Sequence, residues 1–100
     1  MNMQQMMAQA QKMQRELKKA MAELEAKEFA ISKGGAVTVT VYGSKKIKSV
    51  SVDADAFDAD NKEMVEDMIA LAINEAMDQI DQEKEAIEER ITGQRGGFGF

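Results

Sequence analysis

Four cations near the start of the chain have the type and spacing suited to gripping phosphate. Lys12, Arg15 and Lys19 stand at i, i+3 and i+7, with Lys18 beside the last of them. On a helix these positions share one face, and a line of long cationic side chains meets a nucleic-acid backbone without reading its bases. Taken alone, the stripe reads first as a solvated helix face, where Glu16 and Glu23 have i, i+3 or i+4 partners in Lys12, Lys19 and Lys27. A second basic group gathers at two turns: Lys45, Lys46 and Lys48 together, and Lys33 alone. There the same side chains serve either phosphate contact or edge protection, because Lys on an exposed strand discourages sheet-to-sheet association.

Other chemistries are poorly supplied. The 100 residues contain no Cys and no His, which removes thiol chemistry, disulfides, the imidazole base and histidine metal ligands. Asp53, Asp55, Asp58 and Asp60 resemble the start of a calcium loop, but the sixth position from Asp53 is Asp58 where Gly is required. The twelfth is Met64 where a bidentate Glu belongs, so a polar strand-to-helix connection is expected instead. Gly34-Gly35 opens no helix and is followed by no Gly-Lys-Ser or Gly-Lys-Thr, so it is no phosphate loop. The segment Arg95-Gly96-Gly97-Phe98-Gly99-Phe100 pairs a cation with two aromatics, a single copy of a unit that binds single strands when repeated. No catalytic constellation emerges, and neither an enzyme, a cofactor, a metal nor a small-molecule substrate is expected.

The elements that must position the cations follow from periodicity. Met3, Met6, Ala10, Met13, Leu17, Ala20 and Leu24 are spaced alternately three and four apart, a heptad seam on a helix predicted from about residue 2 to residue 27. At 1.5 Å per residue that rod runs roughly 39 Å, too long for one short sheet to cover, so a second helix, from this chain or another subunit, is expected along part of it. In this register Lys12 and Lys19 fall at c, Arg15 at f and Lys18 at b, all facing away from the seam. Core or helix-to-helix packing is the expected use of Met3, Met6, Met13, Met68 and Met77.

Beyond residue 27 the period becomes two. Phe29 and Ile31, then Val37, Val39 and Val41, then Val50 and Val52 mark three strands, joined by turns at Gly34-Gly35 and Gly43-Ser44-Lys45. Ile47 is out of phase with Val50 and Val52, which implies either the opposite face or a bulge. Asp60 and Glu63 read as a capping box opening a second helix, apolar on more than one side from Met64 to Met77 and largely solvated beyond. Gly93 is placed to stop it, and residues 93–100, with four Gly, read as a flexible tail after a single domain of residues 1–92. The fold class is α+β: long helix, three-stranded antiparallel meander, long helix.

Charge is divided along this plan. The total is −5, yet residues 1–52 carry nine Lys and Arg against four Glu, whereas residues 53–100 carry four against fourteen acids. A local patch decides what docks, so the acidic total does not exclude a polyanionic partner. No apolar run approaches the roughly 18 residues a spanning helix needs, and the N-terminus lacks signal-peptide features, so no membrane role and a cytoplasmic location are expected.

Three stretches add a resemblance: Gln9-Ala10-Gln11-Lys12-Met13-Gln14; Gly34-Gly35-Ala36-Val37-Thr38-Val39-Thr40-Val41 with Gly43; and Glu63-Met64-Val65-Glu66-Asp67-Met68 leading to Asn74-Glu75-Ala76. With the order of elements, they resemble the YbaB/EbfC family of small bacterial nucleoid-associated proteins over almost the whole chain. The resemblance implies a homodimer formed through the sheets and adjoining helices, with paired long helices projecting like tweezers, and a role in binding or bending chromosomal DNA. Thr38 stands where relatives often carry Lys, and Met77 to Asp81 is acidic where many have basic residues. The expected contacts to double-stranded DNA therefore fall on Lys12, Arg15, Lys18 and Lys19, supported by Lys45, Lys46 and Lys48. The competing expectation is a coiled-coil scaffold or holdase-like chaperone working through the Met-rich helices near Met1 to Met7.

Overall fold

A computed structural model of the chain describes residues 2–93. Helix α1 spans Met3–Ala26, strands β1, β2 and β3 span Glu28–Lys33, Val37–Tyr42 and Ile47–Val52, and helix α2 spans Lys62–Thr92. Short 3-10 turns at Ala54–Ala56 and Ala59–Asn61 link β3 to α2. The particle measures 68 × 19 × 18 Å, elongated because α1 and the distal half of α2 run on together past the sheet.

Helix α1 opens on a capping box that its spacing pattern does not announce. The Asn2 side chain accepts the Gln5 N–H at 2.8 Å, and the Gln5 side chain accepts the Asn2 N–H at 3.2 Å. The expected box at Asp60 and Glu63 does not form. Asp60 is the middle residue of a 3-10 turn capped by Asp58, whose carboxylate accepts the Asp60 N–H at 2.8 Å, and α2 starts after Asn61 with no side-chain cap. Gly93 ends α2 in the left-handed region at φ 77°, its N–H donating to the Glu89 carbonyl.

The sheet has order β1-β2-β3 with antiparallel pairing throughout. A bulge resolves the phase of Ile47: Thr40 pairs with Ser49 and Val41 with Ile47, so Lys48 is the extra residue. Ile47, Val50 and Val52 thereby all sit opposite the valines of β2. Helix α2 covers that face over β1 and β2. Ala72 and Ala76 are fully buried, and their small side chains let the helix approach Phe29, Ile31, Val37, Val39 and Val41 closely. The cover stops short of β3, where Ile47 and Val50 remain 44% and 45% exposed.

The base of α1 is tied to the β2–β3 turn. Gly43 N–H donates to the Lys27 carbonyl at 2.8 Å and Ser44 N–H to the Glu25 carbonyl at 3.2 Å, supplying partners for orphan carbonyls at the helix end. Lys45, in the same turn, has φ 73°, a left-handed conformation uncommon outside glycine.

Candidate nucleic-acid interface

The expected second helix along the α1 seam is the distal half of α2. Ala20 and Leu24 line one cleft with Glu83, Ile87 and Arg90, and Met13 lines another with Ile91, so the two helices run antiparallel. Because α2 ends at Thr92, it reaches only as far as Met13 and Gln9. The seam residues Met3 and Met6 are consequently 76% and 58% exposed, and Met7 beside them is 57% exposed. The packing role expected for Met3 and Met6 is therefore not met within the described chain, whereas Met68 and Met77 pack against the core.

With the seam directed at α2, Lys12, Arg15, Lys18 and Lys19 are all exposed. Lys12 approaches Glu16 only at 4.0 Å, the limit of an ion pair, with both side chains largely in solvent. Arg15, Lys18 and Lys19 form no ion pair among the described residues. Arg90 of α2, which linear spacing gives no reason to single out, lines the same cleft as Lys19, Glu16 and Glu23. Arg90 thus has Lys19 and two glutamates of α1 as neighbours, a setting that only the antiparallel return of α2 supplies.

The lysines of the turns and the sheet are held differently. Lys45 pairs with Asp81 at 2.8 Å, Lys33 with Glu75, and Lys27 with Glu83 at 2.6 Å, so α2 carboxylates face three cations of the first half. Lys48 reaches across the sheet to Glu28 at 2.8 Å and lies 5.9 Å from the centre of the Tyr42 ring. The hydrogen bond and charge of Glu28 raise the Lys48 ammonium above the ordinary lysine value. Lys46 is exposed and has no ion-pair partner among the described residues. The seven expected DNA contacts thus divide into a lightly engaged set on α1, an unpaired Lys46, and two lysines engaged by carboxylates.

The aspartates after β3 serve the backbone. Asp53 accepts the Asp55 N–H at 3.0 Å, as Asp58 does for Asp60, and no group of three potential ligands that would hold a metal occurs among the described residues. No described helix is long and apolar enough to cross a membrane. The aromatic segment Arg95 to Phe100 lies outside the described residues.

A projecting helix, a three-stranded meander and a returning helix define a small α+β protein whose outer rod carries exposed cations and whose base holds Lys27, Lys33, Lys45 and Lys48 in pairs with carboxylates while Lys46 stays exposed. Residues 1–95 match the YbaB/EbfC DNA-binding family, and the chain belongs to that family. A nucleoid-associated protein of Agathobacter rectalis is 47% identical over 100 residues, covering 99% of this chain and 88% of that protein. One from Clostridium novyi is 44% identical over 94 residues, covering 93% and 82%. The crystal structure of an uncharacterised protein from Helicobacter pylori has a TM-score of 0.73 over 90% of this chain and 96% of its own, at 16% identity, a shared fold. The family is defined by DNA binding and not by a catalysed reaction.

Proposed function

We propose that the protein is a nucleoid-associated protein of the cytoplasm that works as a homodimer and holds duplex DNA through its backbone phosphates, bending or organising the chromosome. The observation that carries this reading is the unequal engagement of the cations: α2 acids face Lys27, Lys33 and Lys45, while Arg15, Lys18 and Lys19 stand exposed without ion pairs among the described residues. An acidic protein keeps a basic surface in this way, by placing its acids elsewhere. Lys12, Arg15, Lys18 and Lys19 form the proposed grip, Arg90 extends it, and Lys45, Lys46 and Lys48 lie at the base. A dimer is supported by uncovered apolar surface at Ile47 and Val50 on β3 and at Phe57, which is 79% exposed beside a cleft of about 520 Å³.

Replacing Lys12, Arg15 and Lys19 together by Gln tests the reading. Each neutralised phosphate contributes about 0.9 to the slope of log affinity against log salt, so a dimer deprived of about six such cations should show a slope shallower by about 5. Thermal stability should change little because the three side chains are exposed. An unchanged slope and affinity would remove these residues from the site. The scaffold or holdase reading rests on the exposed Met3, Met6 and Met7, and protection of an unfolding client without retardation of DNA would favour it.

A further inference from the structure

We propose that the charge-free tip of α1 is a self-association site, where the stripe Met3, Met6, Met7 and Ala10 packs antiparallel against the same stripe of a second copy. The contact is separate from the apolar surface on β3. The heptad seam of α1 is one stripe: from Leu24 to Met13 it faces α2, and from Ala10 to Met3 it is open to solvent, with its methionines more than half exposed. Residues 2–11 carry no charged side chain, and Lys12, the first, faces away from the seam. A helix end of Met, Ala, Gln and Asn that continues a packed seam has the composition of a covered surface and not of a solvated rod.

Spacing, end charges and neutrality together select a second copy as the cover. A seam with three-and-four spacing is matched by another helix of the same spacing. A two-fold antiparallel pair sets Met6 against Ala10 twice and brings Met3 to Met13 and Ile91, where α2 stops. Charges agree with that direction. The first turn of α1 holds no acid to offset the positive end of its dipole, while residues 85–92 of α2 carry Glu85, Glu88 and Glu89 against Arg90 alone. The antiparallel pair brings these ends together. Copies of a molecule with net charge −5 repel one another, and residues 2–11 add nothing to that repulsion. The exposed stripe of Met64 and Leu71 on α2 lies among Asp67, Glu75 and Asp78, for which the tip has no cation to offer.

A contact of about three helical turns buries less than the roughly 1,200 Å² of a stable complex. It is therefore weak between free molecules and fills at the millimolar effective concentrations of copies held side by side. Met3 stands about 35 Å along α1 from Ala26, at the end of the molecule remote from β3. Two self-contacts at opposite ends join copies into open strings, which would link duplex segments; this last step rests on the DNA reading, whereas the contact itself does not.

The test uses the full chain, which has no Cys, so an introduced thiol is the only one it carries. Copies with Met6→Cys are mixed with copies with Ala10→Cys at about 1 mM in a thiol–disulfide redox buffer, without DNA. The mixed disulfide is expected to exceed several-fold the disulfide formed by Ala8→Cys copies, whose residue is exposed on the opposite face of α1. It should fall to that background when Met3 and Met7 are also changed to Gln, with the melting temperature unaltered because both side chains are exposed. A mixed disulfide no greater than the Ala8→Cys background would overturn the proposal. So would preferential linkage of Met6→Cys copies to Leu71→Cys copies, which would assign the stripe to α2 of another molecule. Failure of the DNA reading shows separately, as a duplex that the unsubstituted protein does not retard, and leaves the disulfide result standing.

Discussion

Gly43→Ala is expected to be the most damaging single methyl that can be added to this fold. Gly43 does not adopt a positive φ, so the backbone itself would accept alanine. The obstacle is steric: an ideal Cβ would lie 1.8 Å from the Leu24 carbonyl oxygen and 2.6 Å from its carbon. Real Cβ atoms essentially never approach closer than 3.0 Å, so the hairpin and the end of α1 must separate by about 1.2 Å or more. The two bonds that join them, from Gly43 to Lys27 and from Ser44 to Glu25, start at 2.8 and 3.2 Å and would be lost or badly stretched. Two hydrogen bonds at about 1 kcal/mol each and an overpacking cost of about 1–3 kcal/mol give a destabilisation of about 3–5 kcal/mol. For a domain of this size that lowers the melting temperature by on the order of 15 °C or more. Thermal unfolding followed by circular dichroism at fixed protein concentration measures it, with Gly35→Ala as the control. Gly35 has φ 65° and open space around its Cβ, so alanine there should cost only the left-handed penalty, about 1–2 kcal/mol. A fall of less than about 3 °C for Gly43→Ala would refute the steric argument. The junction also has leverage on the proposed DNA grip, because Lys12 lies about 21 Å up the rod from Ala26 and a tilt of about 10° at the base moves it about 4 Å.

Three further outcomes are expected. Asp81→Asn should release Lys45 and steepen the salt dependence of DNA binding by about 0.9 for each phosphate newly neutralised, about 2 in a dimer; an unaltered slope would exclude Lys45 from the interface. Val50→Asp should convert the proposed dimer to monomers in sedimentation equilibrium while leaving helix content intact, since Val50 is nearly half exposed in the single chain; a persisting dimer would place the interface elsewhere. Glu28 raises the Lys48 pKa in the folded state, so this pair's stabilisation is fully present below the ordinary lysine value of 10.5 and is lost as pH rises through the raised folded value. In an NMR titration Glu28→Gln should therefore bring the Lys48 midpoint down, and identical midpoints would show that the pair does not persist in solution.

The sequence by itself determined the elements and their order. The three-and-four spacing of Met3 to Leu24 and the alternation of Val37, Val39 and Val41 are read from the local geometry of the backbone, which repeats every 3.6 residues in a helix and every two in a strand. The outward placement of Lys12, Arg15, Lys18 and Lys19 follows from the same register, since a face opposite a packed seam is solvent whatever the partner proves to be. The start of α2 differs from expectation because local signals compete: Asp58 and Asp60 both suit a cap, and the 3-10 turn that selects Asp58 depends on how the chain leaves β3. Only the tertiary structure decided which cations are engaged. Lys27 and Glu83 are 56 positions apart, and no linear pattern connects them, or Lys45 to Asp81, or Lys19 to Arg90. The length of α2 against that of α1, measurable only once the helices are laid antiparallel, likewise leaves Met3 and Met6 uncovered where the heptad pattern predicts burial. Periodicity states which face of an element is apolar; the packing of elements distant in sequence states what, if anything, covers it.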